Sequence, residues 1–162
     1  MKSRLYFGRE NLSELVKGAA KTMGEPEKKH LVFISHSHLD SWVAGQIVSK
    51  IEMEGIETFL DQEHIKAGED FEARILQALH QADEVLVLFT PWGQTSNFVW
   101  MEIGVAWYRR IPIVPVLYGL DIDELITQPN FPITLKKRDM IALNQIEEHI
   151  DQLRKKLAVK AN

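Results

Sequence analysis

A glutamate and an aromatic residue one helical turn apart are the residues best suited, by type and spacing, to chemistry on a ligand. Glu102 follows Phe98 by four positions in a segment whose hydrophobic pattern predicts a helix. Because residues at i and i+4 share a helix face, the ring and the carboxylate should look into the same space. Val99, Ile103 and Ala106 form a separate apolar stripe that predicts contact with a core. Packing does not need Glu102 in this pattern, and we interpret it as a candidate for chemistry on a flat, charged ligand.

The sequence excludes several other kinds of site. It contains no cysteine, which removes disulfides, thiolate nucleophiles and cysteine-ligated zinc. No predicted strand is followed by a glycine-rich phosphate loop of the Walker or Rossmann type, and no serine elbow occurs. His36 and His38 lack a third ligand at a recognisable spacing, so no metal site is predicted. A net charge of −4 provides no field to hold a polyanion, so nucleic acid is not expected as a partner.

Length and composition indicate one globular domain with a substantial core. The 162 residues are 45% hydrophobic and 26% charged, which are ordinary globular values. The first residues contain no apolar stretch of signal-peptide length, and no run approaches the ~20 residues that a membrane span needs. We therefore expect a cytoplasmic protein that does not bind a membrane.

Residues 1–29 differ in pattern from the rest of the chain. Apolar residues recur at helical spacing between Leu12 and Ala19, and the polar residues 24–29 that follow are typical of a linker. The sequence therefore predicts a short amphipathic helix with a tether over residues 1–29, followed by a globular domain over residues 30–162.

Strand and helix patterns alternate through the globular domain. Buried strands are predicted at 31–35, 56–60, 84–89 and 111–117, with a short fifth strand near 140–142. Pro112 and Pro115 favour a position at the sheet edge for the fourth strand. Asp40 is positioned to cap the helix after the first strand. This alternation predicts an α/β fold, a parallel sheet with helices on both faces.

Ligands bind to such sheets outside the carboxyl ends of the strands. Three segments should meet there: residues 35–38 after the first strand, 59–61 at the end of the second, and 95–102 at the start of a helix. The N-terminus of that helix favours an anion such as phosphate. Phe59 fits either a core position or a ligand platform. The predicted ligand-binding residues are Ser35, His36, Ser37, Phe59, Asp61 and Phe98.

Three motifs in this arrangement resemble those of one known family. The run VFISHS at 32–37, followed by Asp40, resembles box 1 of TIR (Toll/interleukin-1 receptor) domains. FLD and IKAG, both within residues 59–68, resemble the BB loop of that family, and residues 98–107 resemble the C helix of bacterial members. The resemblance covers roughly residues 30–158 and implies a flavodoxin-like, five-stranded parallel sheet.

The resemblance also implies a catalytic residue. Some TIR domains are assembly adaptors, whereas others cleave NAD+ at the nicotinamide–ribose bond with a glutamate on the C helix. That glutamate lies four residues after an aromatic residue, usually tryptophan. Glu102 matches the glutamate, and Phe98 stands in place of the tryptophan. Ser37 and His38 stand where enzymatic animal members carry basic residues. Glu102 is thus the predicted catalytic residue, with NAD+ as the substrate and no cofactor.

We predict an NAD+-cleaving TIR enzyme, with hydrolysis and cyclisation to a cyclic ADP-ribose both left open. The resemblance implies a role in bacterial immune defence or virulence signalling, and activation by self-association through the BB loop. One alternative is a non-catalytic module that binds other TIR domains. Another is a nucleoside deoxyribosyltransferase-like enzyme, which shares the use of a glutamate. Glu102 favours an enzyme, since an adaptor does not need this residue.

Overall fold

A computed structural model of the chain describes most of the predicted globular domain. The described residues are 29–60, 71–129, 131–136 and 138–160. The helix predicted within residues 1–29 lies outside them. Asp61 and the loop motif at 65–68 also lie outside them, so the predictions for these segments stay predictions.

Five parallel strands form a single sheet. They are β1 (Leu31–Ser35), β2 (Glu57–Leu60), β3 (Glu84–Phe89), β4 (Ile113–Leu117) and β5 (Ile141–Ala142). Their order is β2-β1-β3-β4-β5, with every neighbouring pair parallel. This order confirms the predicted flavodoxin-like sheet. The chain winds in opposite directions from β1 and from β3, so the carboxyl ends of these two strands form the switch point at which ligands bind in such folds.

Helices cover both faces of the sheet. They are α1 (Ser41–Met53), α2 (Phe71–Gln81), α3 (Asn97–Tyr108), α4 (Ile122–Thr127), α5 (Ile133–Lys136) and α6 (Ile146–Lys160). Buried residues of α1 and α6 pack on one face, and those of α2 and α3 pack on the other. Of the helices in the described ranges, none is both long and apolar enough to cross a membrane.

Alternation along β1 divides its side chains between the two cores. Val32 and Ile34 belong to the cluster under α1 and α6, whereas Phe33 belongs to the cluster under α2 and α3. Because successive side chains of a strand point to opposite faces, Ser35 faces the same side as Phe33. The last residue of β1 is therefore polar and directed toward the side of α3.

The structure places β4 inside the sheet, so the predicted edge position is wrong. The amide of Tyr118 donates to the carbonyl of Phe89 on β3. Since amides alternate in direction along a strand, the nitrogen of Pro115 faces away from β3, toward β5. Among the described residues, β5 pairs with β4 only beyond Pro115. The missing N–H of Pro115 therefore interrupts no ladder bond there, and Pro112 precedes the strand.

A histidine lies beside acidic and basic groups at the amino-terminal end of the sheet. Nδ1 of His30 is 3.9 Å from a carboxylate oxygen of Asp83, and its side chain is largely buried. Burial lowers the pKa of His30 below its usual 6.5. The carboxylates of Asp83 and Glu84 oppose this shift, and the ammonium groups of Lys156 and Lys160 add to it. The fold thus favours the neutral imidazole.

We expect His30 to make the protein less stable in mild acid. Below pH 6.5 the unfolded chain binds a proton at this residue before the folded chain does. The free energy of unfolding therefore falls as the pH drops through the lowered pKa, whereas nothing is lost above 6.5. Urea denaturation of the wild type and of His30→Gln at pH 7.5 and pH 5 tests this expectation. The wild type should lose more stability than the variant, and equal losses would contradict the role of His30.

Candidate active site

The predicted catalytic carboxylate lies at the end of β1, where it binds a serine. The hydroxyl of Ser35 donates a hydrogen bond to Oε2 of Glu102. Ser35 is 0% exposed and Glu102 is 1% exposed. The two residues are 67 positions apart in the chain, and the contact joins the end of β1 to the second turn of α3. The structure thus brings together two residues that the sequence placed in separate converging segments.

Local sequence explains why α3 begins where it does. Ser96 has an extended backbone conformation, and its hydroxyl accepts a hydrogen bond from the amide of Val99 at 3.4 Å. This is the geometry of an N-cap. Ser96 therefore caps α3, and it fixes the start of the helix six residues before Glu102.

Glu102 is predicted to lie apart from the apolar stripe of α3, and this prediction is wrong. Glu102 is buried together with Val99, Ile103 and Ala106. At 3.6 residues per turn, Glu102 is only about 60° around the helix from Val99, so a broad buried face includes it. Phe98, about 40° further round, is 42% exposed. The ring and the carboxylate lie one turn apart on α3, and of the two only the carboxylate is buried.

His36 and Ser37 continue from β1 into a tight turn. Both residues are buried. The hydroxyl of Ser37 accepts a hydrogen bond from the amide of Leu39 at 3.4 Å, and Nε2 of His36 is 3.4 Å from the hydroxyl of Ser41. These contacts shape the segment next to Ser35. A role of either residue in binding a ligand stays a prediction.

Phe59 lies in the packing layer of the sheet. It is opposite Phe33 in the register of β1 and β2, and the two rings stack with centroids 5.3 Å apart and planes at 17°. Phe59 is partly buried against the same cluster that holds α3. The sequence allows Phe59 either a core position or a role as a ligand platform, and these contacts are those of a core position. Its use as a ligand platform stays a prediction.

A buried hydrogen-bond network that was not predicted from the sequence joins the segments that follow β1 and β3. The hydroxyl of Thr90 donates to Oδ2 of Asp40 at 2.6 Å and accepts from the amides of Trp92 at 3.1 Å and Gly93 at 2.8 Å. Thr90 is fully buried and Asp40 nearly so. The network therefore ties the turn after β1 to the loop after β3.

Asp40 does not cap α1 as predicted. It occupies the N-cap position, but its side chain makes no capping hydrogen bond, and its backbone (φ −100°, ψ 5°) is not the extended conformation of a capping residue. Its carboxylate instead serves Thr90, 50 residues away. The signal that could have found this pair is a threonine directly after the most apolar strand, at the edge where ligands bind.

The loop between β3 and α3 is held close to the sheet. A Cβ added at Gly93 would lie 2.6 Å from the carbonyl oxygen of Leu88, so this position requires glycine. Nε1 of Trp100 donates to the carbonyl of Gln94 at 2.8 Å, which attaches the loop to the first turn of α3. The start of the helix that carries Glu102 is therefore fixed from both ends of the loop.

Open cavities occur at a neighbouring part of the same edge. One of about 660 Å³ lies beyond the carboxyl ends of β4 and β5, and its lining includes Tyr118, Met140 and Leu143. An adjoining cavity of about 400 Å³ shares Tyr118 and Leu143 with it and reaches Trp42 on α1. Neither Ser35 nor Glu102 lines them, so they are separate from the carboxylate site. No group of three or more His, Asp or Glu side chains within the described ranges is arranged to hold a metal ion.

The arrangement of Ser35 and Glu102 suits the stabilisation of positive charge. A carboxylate shielded from water interacts with a nearby cation more strongly than a solvated one does. The hydrogen bond from Ser35 fixes the orientation of the carboxylate before any ligand binds, so no reorganisation is needed when charge develops.

Fold and site motifs together define the class of this protein. The family model described as "TIR domain" matches residues 32–157, so this chain belongs to the TIR domain family.

Two curated relatives are named as probable enzymes. The chain is 26% identical over 102 residues to "Probable 2' cyclic ADP-D-ribose synthase BdTIR" of Brachypodium distachyon, an alignment that covers 62% of this chain and 46% of the relative. It is 22% identical over 103 residues to "Probable 2' cyclic ADP-D-ribose synthase TcpO" of Methanobrevibacter olleyae, covering 61% and 30%. The matched region thus spans less than half the length of either relative.

Solved structures share the fold at low sequence identity. The TIR domain of the Toll-related receptor TRR-2 from Hydra magnipapillata matches with a TM-score of 0.56 and 19% identity, covering 80% of this chain and 95% of that one. A metazoan TIR-STING receptor from C. gigas matches with a TM-score of 0.58 and 20% identity, covering 78% and 41%. The TIR domains of the activated Roq1 resistosome match with a TM-score of 0.53 and 20% identity, covering 78% of each chain.

Proposed function

We propose that this protein is an enzyme that cleaves NAD+ at the nicotinamide–ribose bond, with Glu102 as the catalytic residue. The observation that carries the proposal is the burial of Glu102 at the switch point, where Ser35 holds its carboxylate. The names of the two curated relatives, both probable 2' cyclic ADP-D-ribose synthases, support this choice of substrate.

A single carboxylate is sufficient for this reaction. O-glycosidases use two carboxyl groups, partly because an alkoxide leaving group must be protonated. The nicotinamide of NAD+ is cationic and departs as a neutral molecule, taking the electron pair of the C–N bond with it. The remaining demand is the positive charge that develops on the ribose, which Glu102 stabilises electrostatically. Attack by water, with loss of a proton, then gives ADP-ribose, whereas attack by a hydroxyl of the same molecule gives a cyclic isomer.

The other site residues are proposed to position this carboxylate or to bind the substrate. Ser35 is a positioning residue, because it holds the carboxylate of Glu102. Phe98 offers a partly exposed ring beside Glu102 for stacking on a flat base. His36, Ser37, Phe59 and Asp61 are proposed to complete the binding surface. No cofactor takes part, since NAD+ is the substrate.

We further propose that the enzyme works by self-association in the bacterial cytoplasm, in immune defence or virulence signalling. The loop at 59–68 is the proposed contact between copies, on the basis of its resemblance to the BB loop. The names of the curated relatives favour cyclisation over simple hydrolysis.

Incubation of concentrated protein with NAD+ and identification of the products by mass tests this function. We expect nicotinamide together with ADP-ribose or a cyclic isomer of it. The rate should rise more steeply than in proportion to protein concentration, because assembly completes the site. Nucleosides supplied in parallel should not be cleaved. No nicotinamide at any protein concentration, or cleavage of nucleosides alone, would contradict the proposal.

A further inference from the structure

A groove runs between α1 and α6 on the face of the sheet opposite α3. The cavity of about 400 Å³ that reaches Trp42 forms the part at the carboxyl edge of the sheet. A second cavity, of about 490 Å³, forms the other part and ends at Met53 and Glu54. Lys50 and Glu147 line both cavities, so the two parts are continuous. We call this feature the α1–α6 groove.

The helix α1 presents an exposed apolar residue at each end of this groove. Trp42 is 76% exposed and Met53 is 84% exposed. They are eleven positions apart, so they lie about 16 Å apart along the helix axis and only about 20° apart around it. Gln46 and Lys50 follow Trp42 at i+4 and i+8, between the two ends. Exposed apolar side chains bordered by polar ones in this way indicate a surface that packs against another element.

The α1–α6 groove has an excess of negative charge. Lys50 of α1 pairs with Glu147 of α6. Arg154, next to the groove, pairs with Asp151 at 2.9 Å and with Glu54 at 3.3 Å. With these two cations counted against the four carboxylates that line the groove, two negative charges remain in excess. The groove therefore suits a positively charged occupant.

The sequence that precedes β1 contains a segment of matching length. Residues 12–23, which lie outside the described ranges, have the pattern of an amphipathic helix, with Asn11 at the N-cap position and Gly24 after the last residue. Its apolar stripe begins at Leu12 and ends at Met23, eleven positions later. The stripe of this predicted helix is therefore as long as the separation of the two exposed apolar residues of α1.

We propose that this predicted helix docks in the α1–α6 groove of the same chain. Residues 1–23 contain five basic and two acidic side chains, so they carry +3 and the rest of the chain carries −7 of the total −4. The segment and the domain therefore attract each other, whereas two copies of the domain repel. Alignment of the two apolar rows places Leu12 beside Trp42 and Met23 beside Met53.

The connection to β1 is long enough for this arrangement. The carbonyl of His30 accepts a hydrogen bond from the amide of Glu57 at 3.1 Å, and Glu57 is three residues after Glu54 at the end of the groove. Three residues span at most about 11 Å, whereas the six steps from Met23 to Lys29 span up to about 20 Å. A tether this short gives an effective concentration on the order of a millimolar, which favours docking within one chain over docking between chains.

Cross-linking tests the proposal, because the chain contains no cysteine. The proposed alignment places Val16 beside Gln46, so Val16→Cys with Gln46→Cys should form a cross-link within one chain when treated with a short bismaleimide. Gln77 is the matched control, since it is also an exposed glutamine but lies on α2, on the opposite face of the sheet. Val16→Cys with Gln77→Cys should give little product. Equal cross-linking of the two pairs would overturn the proposal.

The product also identifies the occupant of the groove. At protein concentrations at which sedimentation shows a monomer, the yield of cross-linked single chain should not change with concentration. A covalent dimer whose yield rises with concentration would show that the segment of another copy fills the groove, which would contradict docking within the chain. The experiment uses neither NAD+ nor an assembled protein, so its failure is distinguishable from failure of the proposed function and of the proposed self-association.

Hydrogen exchange supplies a second measurement. Met53→Asn should raise the exchange rate of the amides of residues 12–23 by about tenfold or more, because burial of a methionine side chain is worth at least that factor. Leu76→Asn, at an exposed apolar residue of α2, should leave these amides unchanged. Wild-type amides that exchange as fast as those of an unfolded peptide, or equal rates in Met53→Asn and the wild type, would refute the docking.

Discussion

Replacement of Glu102 by glutamine should reduce the rate of NAD+ cleavage by on the order of a thousandfold or more while the fold is retained. Glutamine matches glutamate in shape, and its amide oxygen still accepts the hydrogen bond from Ser35. The variant should therefore keep its packing and lose only the negative charge that we propose stabilises the ribosyl cation. Loss of a single preorganised electrostatic contact commonly costs ~100- to 1,000-fold in rate.

Glu84→Gln is the matched control for this substitution. Glu84, the first residue of β3, is also a buried glutamate. Its carboxylate lies 2.9 Å from Nε2 of His149 on α6. It is at the opposite end of the sheet from Glu102, so its replacement should lower stability without abolishing cleavage. The measurement is nicotinamide release by each variant at equal protein concentration, with circular dichroism to confirm folding. Full activity of a folded Glu102→Gln variant would exclude Glu102 as the catalytic residue.

Replacement of Thr90 by valine should lower the free energy of unfolding by about 2–4 kcal/mol. Valine has nearly the same shape, but it removes one donor to Asp40 and one acceptor for the amides of Trp92 and Gly93. In the variant, the carboxylate of Asp40 loses a hydrogen-bond donor and the two amides lose their acceptor. Because these groups are shielded from water, no solvent hydrogen bond replaces those that are lost, and the folded state is destabilised.

Thr90→Ser controls for the hydroxyl, since serine keeps the oxygen and loses only a methyl group. We expect serine to retain most of the stability that valine loses. Urea denaturation of the three proteins measures the difference. A loss for Thr90→Val of less than ~0.5 kcal/mol would show that the network contributes little to folding.

The main features of the fold are readable from the sequence because they arise from local patterns. The run 84–89 is apolar throughout, and this pattern specifies a strand buried on both faces, which is what β3 is. Ser96 signals the start of α3 by its own chemistry. The position of β4 was predicted incorrectly, because the direction in which the nitrogen of Pro115 points depends on which strands lie on either side.

The site was predicted in part for the same reason. Convergence of Ser35 and Glu102 follows from the topology of a parallel sheet. The burial of Glu102 depends instead on the width of the helix face of α3 that packs against the sheet. The hydrogen bond between Asp40 and Thr90 joins residues 50 positions apart, and no pattern of neighbouring residues predicts such a contact. A capping role for Asp40 was the best prediction from local sequence alone, and a long-range partner displaced it.

The attachment of the loop between β3 and α3 has a consequence for how the site opens. Thr90 and Gly93 bind this loop to the sheet, and Trp100 binds it to the helix. We therefore expect strand, loop and helix to move together, so that α3 does not swing outward on its own to uncover Glu102. For the proposed dinucleotide substrate, we expect entry to depend on the motion of elements outside this unit, on the microsecond-to-millisecond timescale typical of loop and domain gating.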